Sequence, residues 1–143
     1  MRMVLKTLSS GLSAFRTGHP EIDAEHLRLA EIIDSVNAEL ESGCVPEICK
    51  NLLQSFIDVA RSHFANEEKV LLEIGFPRLT EHCVYHTQLL TQAIEVKKHC
   101  EEVMENEHFR ICFEEMAQFF VDDVIRGDMD FVSFMETTGI TKR

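Results

Sequence analysis

Seven side chains in this sequence are of metal-binding type and recur at spacings that suit a shared site: His26, His63, Glu67, His82, His86, Asp123 and Asp128. His63 and Glu67 stand four residues apart, as do His82 and His86. On a helix, residues four apart share a face, so each pair can grip one centre. Asp123 and Asp128 are five apart, which is poor for one face of a regular helix. Gly127 between them can end the helix and let Asp128 turn back inward. Imidazole together with carboxylate suits iron, manganese or zinc better than calcium or magnesium. The donors outnumber what one tetrahedral zinc takes, which favours two metals sharing carboxylate bridges.

These residues need elements that bring them to one place. Gly18 and Pro20 precede a helical pattern that stops at Gly43. Pro46 opens a second, which stops at Gly75-Phe76-Pro77. A third starts near Thr80, read as an N-cap, and a fourth stops at Gly127, with Asn106 as the break between them. Proline just inside a helix start and glycine just past its end is the expected asymmetry. No run of alternating β-branched residues and no hairpin dipeptide appears. The expected helices cover about 20–42, 46–74, 80–104 and 107–126 of a single 1–143 domain. Short loops make neighbours antiparallel, so the expected fold is all-α, an up-down-up-down antiparallel four-helix bundle.

Each helix then carries a seam with spacings of three and four. The seams read Ile22, His26, Leu29, Ile33, Val36, Leu40, then Leu53, Phe56, Ala60, His63, Glu67, Val70, Ile74. The third reads His82, His86, Leu89, Ala93, Val96, Cys100, Val103, and the fourth Phe109, Phe113, Met116, Phe120, Asp123. His26 lies near the start of its helix, His63 and Glu67 late in theirs, His82 and His86 early, and Asp123 late. Alternating helix directions place all six toward one end of the bundle. A lone inward histidine is more often a hydrogen-bonded core residue, and Glu67 or Asp123 alone could face water. The coincidence of level across four helices outweighs those readings. Buried without partners, such groups cost roughly 2–7 kcal/mol each, and a bound metal satisfies them together. His99 and His108 fall outside this level and read as surface residues, and His19, seven residues before His26, reads as surface or as a residue behind the ligands.

Composition narrows the classes. The chain has 143 residues, with Lys+Arg 14 against Asp+Glu 25 and a net charge of -11. A chain of this length buries roughly 70% of the surface its unfolded form exposes, so it needs no staple merely to fold. The acidic balance argues against nucleic acid and anionic membranes as partners. No stretch approaches a membrane span, and Met1 to Gly18, broken by Lys6, Ser9 and Ser10, makes a poor secretory signal. Cys44, Cys49, Cys83, Cys100 and Cys112 are odd in number and irregularly spaced. They read as small hydrophobes of a reducing cytoplasm, with Cys83 turned out of the seam.

At these residues the chain resembles the hemerythrins, and most closely the bacterial single-domain bacteriohemerythrins. The matching pieces are Gly18-His19-Pro20-Glu21-Ile22-Asp23-Ala24-Glu25-His26, His63-Phe64-Ala65-Asn66-Glu67-Glu68, and Phe76-Pro77 followed by His82-Cys83-Val84-Tyr85-His86. The resemblance implies two iron ions in a non-haem, oxo- or hydroxo-bridged di-iron centre that binds dioxygen end-on at one iron. It implies His26 and His63 on the iron with an open position, His82 and His86 on the other, and Glu67 and Asp128 as bridges. The fourth helix departs from the family pattern. Where the family has a histidine five before its aspartate, this chain has Asp123, and the family's tryptophan is replaced by Phe119. Two readings stand for that place: Asp123 is a ligand, or water fills it. Either removes a neutral nitrogen donor, favours the ferric state and puts reversible oxygen carriage in doubt.

The leading expectation is a cytoplasmic oxygen-binding protein for storage, delivery or sensing, with dioxygen or another small diatomic molecule as ligand. A di-iron oxidase, peroxidase or nitric oxide scavenger is the second reading. A non-redox metal-binding module is the third. Homo-oligomer formation stays open.

Overall fold

The computed structural model describes residues 8, 11, 20–42, 46–102, 107–123, 132–134 and 136. They form four helices: α1 (Pro20–Glu41), α2 (Pro46–Glu73), α3 (Leu79–Glu102) and α4 (Glu107–Asp122). No strand occurs among the described residues. The chain is an all-α, up-down-up-down four-helix bundle. Proline opens α1 and α2, where its missing N–H costs nothing. Acidic residues in the first turns of α1, α2 and α3 complement the positive helix ends. The expected stops at Gly43 and Gly127, the Asn106 break, His19 and Asp128 all lie outside the described residues.

Sequence neighbours pack against one another, α1 on α2, α2 on α3 and α3 on α4. The bundle closes through Phe120 of α4, whose ring meets His26 of α1 at 6.5 Å and Phe56 of α2 at 6.0 Å. A large apolar core fills most of the bundle: Leu29, Ile33 and Val36 of α1, Leu53, Phe56 and Ala60 of α2, Leu89, Ala93 and Val96 of α3, and Phe113, Met116 and Phe120 of α4. A second, small cluster of Ile22, Leu71 and Phe76 closes the end next to the α2–α3 turn, with Ile74, Leu79 and Phe134 packed on it. Between the two lies a polar layer.

Two expectations are corrected. The α2 seam turns onto Leu71, which is fully buried, rather than Val70, which is half-buried. The step of four from Glu67 to Leu71 carries the apolar stripe toward Ile22 and Phe76. Thr80 is not the N-cap of α3. The helix begins at Leu79, and the Arg78 carbonyl already accepts from the His82 amide at 3.1 Å. The turn before it dictates that start.

That turn ends α2 in a left-handed cap. The Gly75 amide donates to the Leu72 carbonyl at 3.2 Å, and the Phe76 amide donates to the Leu71 carbonyl at 3.0 Å. The reciprocal pair satisfies carbonyls that the helix leaves open, and the Leu71–Phe76 contact is its apolar clasp. Gly75 sits at φ 74°, where an L side chain is strained, although a Cβ there would meet no atom within 4 Å. Gly75→Ala therefore costs backbone strain alone, about 1–2 kcal/mol. Urea denaturation measures it, and an unchanged midpoint would show that the turn tolerates a side chain.

Candidate metal centre

The polar layer is built one turn in from the α2–α3 end. His26 follows Ile22 by one turn on α1, and His63 and Glu67 precede Leu71 on α2. His82 and His86 occupy the first two turns of α3, and Asp123 directly follows α4. All six are buried: His63 and Glu67 at 0% exposure, Asp123 at 1%, His86 at 2%, His26 at 3% and His82 at 6%. The six described members of the expected site thus meet at one level. Asp128, the seventh, falls outside the described residues.

Donor atoms converge in two trios. In His26, His63 and Glu67, and again in Glu67, His82 and His86, one ligand atom from each residue lies within 4.8 Å of the others. Glu67 belongs to both. The imidazoles pair edge to face on either side of it, His26 with His63 and His82 with His86, each at 4.7 Å between centroids. Glu67 Oε1 stands 3.0 Å from His82 Nε2 and 2.9 Å from His86 Nε2. Its Oε2 is buried without a hydrogen-bond partner among the described residues. A cation held by these residues would give that oxygen a partner, and the imidazole–carboxylate set is of the kind that holds one.

The rings are held from outside. Glu25 Oε1 accepts from His63 Nδ1 at 2.7 Å, and Glu25 Oε2 accepts from the Asn66 amide at 3.2 Å. Glu68 Oε2 accepts from His86 Nδ1 at 2.8 Å. In both histidines Nδ1 faces the outer carboxylate, which turns Nε2 inward, where a bound metal would take the place of any proton. Phe64 stacks on His86 at 3.9 Å with 7° between planes, and the Phe76 edge meets His82 at 6.1 Å. Carboxylate behind imidazole fixes the tautomer and raises ligand basicity.

Electrostatics follow the same geometry. Burial pushes the Glu67 carboxyl up, but hydrogen bonds from His82 and His86 and the charges of His63 and His86 outweigh it. Its pKa is held well below the usual carboxylate range. Burial pushes the His86 imidazolium down, yet Glu67, Asp123 and Glu68 outweigh that and raise its pKa. Asp123 Oδ1 lies 3.9 Å from His86 Nε2, so Asp123 is on the α3 side of the layer.

Sequence reasoning passed over Glu25 and Glu68 as functional residues. Their signal was adjacency, one residue before His26 and one after Glu67. Cys83 is half-buried, outside the core residues of the seam, and lies near Glu68. Burial first, and then Glu68, push that thiol up. His99, read as a surface residue, is half-buried near the end of α3. His108's side chain lies outside the described residues. Of the cysteines, Cys49 is buried, Cys112 is half-buried, and no disulfide joins the described residues. No described helix is long and apolar enough to cross a membrane.

The family model of the hemerythrin HHE cation-binding domain matches residues 17–126. No curated protein and no solved structure matches the chain. The matched span takes in α1, α2, α3 and α4, and with them the six converging residues. The chain belongs to the hemerythrin family and is a metal-cation-binding domain of that type.

Proposed function

We propose that the domain holds two irons and binds dioxygen, as a bacteriohemerythrin-like protein of the reducing cytoplasm. The observation that carries the two-metal reading is Glu67, whose carboxylate belongs to both donor trios. A shared carboxylate is the bridge that a paired metal site needs. His26 and His63 hold one ion, His82 and His86 the other, and Glu67 spans them. Asp128 is proposed as the second bridge, from the family resemblance. When bound, the iron pair supplies electrons to dioxygen.

The chain's own residues set the conditions. Glu25 and Glu68 orient His63 and His86 and keep their Nδ1 protons. Phe64, Phe76 and Phe120 wall the histidines with rings. Walls of this kind exclude water and admit a small apolar gas. The acidic balance supports neither nucleic acid nor an anionic membrane as partner.

A second reading, an oxidase, peroxidase or nitric oxide scavenger, has one observation in its favour. Asp123 is buried beside His86 where the family has imidazole. An anionic oxygen donor favours the ferric state. Autoxidation rate and peroxide turnover separate the readings.

Protein from iron-replete expression is expected to carry two irons per chain by metal analysis. Removing them should lower the melting temperature, since a ligand at a thousandfold excess over its dissociation constant stabilises by about 4 kcal/mol. One metal or fewer per chain, or equal melting of both forms, would contradict the proposal.

Asp123→His should slow the oxidation of the reduced, iron-loaded protein in air, because it returns a neutral nitrogen donor to that place. Absorption followed over time after mixing with air reads the rate. Equal rates in parent and variant would place Asp123 outside the metal's reach.

A further inference from the structure

A second feature of the bundle lies away from the metal layer. Between α2 and α3 a cavity of about 230 Å³ opens on the outer face, lined by Gln54, Ile57, Arg61, Ile94, Lys97 and Lys98. Arg61 stands two residues before His63 on α2, but it is exposed where His63 is buried, so the cavity opens on a different face of that helix from the polar layer. The cavity is therefore separate from the proposed iron site.

Its composition runs against that of the chain. The sequence carries 25 acidic residues against 14 basic ones. A cation on such a surface has carboxylates in abundance to pair with. Yet Arg61 and Lys98 make no ion pair among the described residues; Lys97, which has a partner of its own, lines the same rim. Asp58 lies in the same stretch of α2, but its Oδ1 accepts from the Gln54 amide at 3.0 Å. Beneath the cations the lining is apolar: Ile57 belongs to the core at 2% exposure, and Ile94 is 41% exposed. An exposed isoleucine beside three cations is an amphipathic surface.

We propose that this cavity binds a small amphipathic organic anion, with a carboxylate or phosphate head between Arg61, Lys97 and Lys98 and an apolar body against Ile57 and Ile94. Guanidinium offers a planar fork that matches either head bidentately, and the two ammonium groups add charge without fixed geometry. The apolar lining supplies the part of affinity that scales with buried area. The volume suits a small ligand, since pockets for drug-sized ligands begin at roughly 300 Å³. The site is independent of the iron proposal, because none of its residues belongs to the polar layer.

The test is calorimetric titration of the full chain with octanoate, octyl phosphate and inorganic phosphate. Octanoate or octyl phosphate should saturate one site per chain, and the tighter of the two identifies the head. Inorganic phosphate should bind about tenfold more weakly than the tighter amphiphile. Arg61→Gln combined with Lys98→Gln should weaken the amphiphile by about tenfold or more while leaving the melting curve and metal content as in the parent. Ile94→Asp should weaken it as well. The proposal is overturned if neither amphiphile saturates one site, if inorganic phosphate binds as tightly, or if the double variant binds like the parent.

Discussion

The arrangement turns on one buried carboxylate. Glu67 is fully enclosed in an apolar bundle, and its carboxylate is held ionised by the imidazoles around it, His82 and His86 from the next helix first. A bare carboxylate in that position would give up its charge or break the core. The other members of the layer are therefore placed relative to it. His63 shares its helix face one turn earlier, His82 and His86 reach it across the α2–α3 contact, and His26 closes the trio from α1.

Such a layer is costly unless the packing around it is firm. Apolar clusters lie on both sides, the large core toward one end and the Ile22–Leu71–Phe76 group toward the other. The Gly75 cap connects the two tasks. It ends α2, starts α3 within a few residues, and turns Phe76 back under His82. A longer or looser connection would leave the register of His82 and His86 against Glu67 to the helices alone. Behind the histidines, Glu25 and Glu68 remove the remaining rotational freedom of His63 and His86. The same turn thus serves fold and site.

Asp123 changes the balance of the layer. With Glu25, Glu67 and Glu68 it makes four carboxyl groups on or directly behind the histidines. A neutral imidazole in its place would leave three. Each further carboxylate raises the demand for positive charge, and a more highly charged cation would meet that demand better. This is the physical reason for setting oxygen carriage and oxidative chemistry side by side for this member of the family.

Much of this was legible in the sequence. The spacings of His63 with Glu67 and His82 with His86, together with antiparallel helices, require a polar layer at one end, because helical periodicity assigns faces and short loops assign directions. Proline and glycine punctuation marked the helix bounds to within a residue or two for α1 and α2. Only the tertiary structure decided the rest. A residue one step along a helix is turned by about 100°, so Glu25 and Glu68 read as belonging to other faces. Their bonds to His63 and His86 exist because a neighbouring helix brings the partner to them. The replacement of Val70 by Leu71 in the seam, and of Thr80 by Arg78 as the first acceptor of α3, likewise depends on how one turn folds against two helices. Periodicity describes a single helix, whereas these contacts are properties of pairs of helices and of the distance between them.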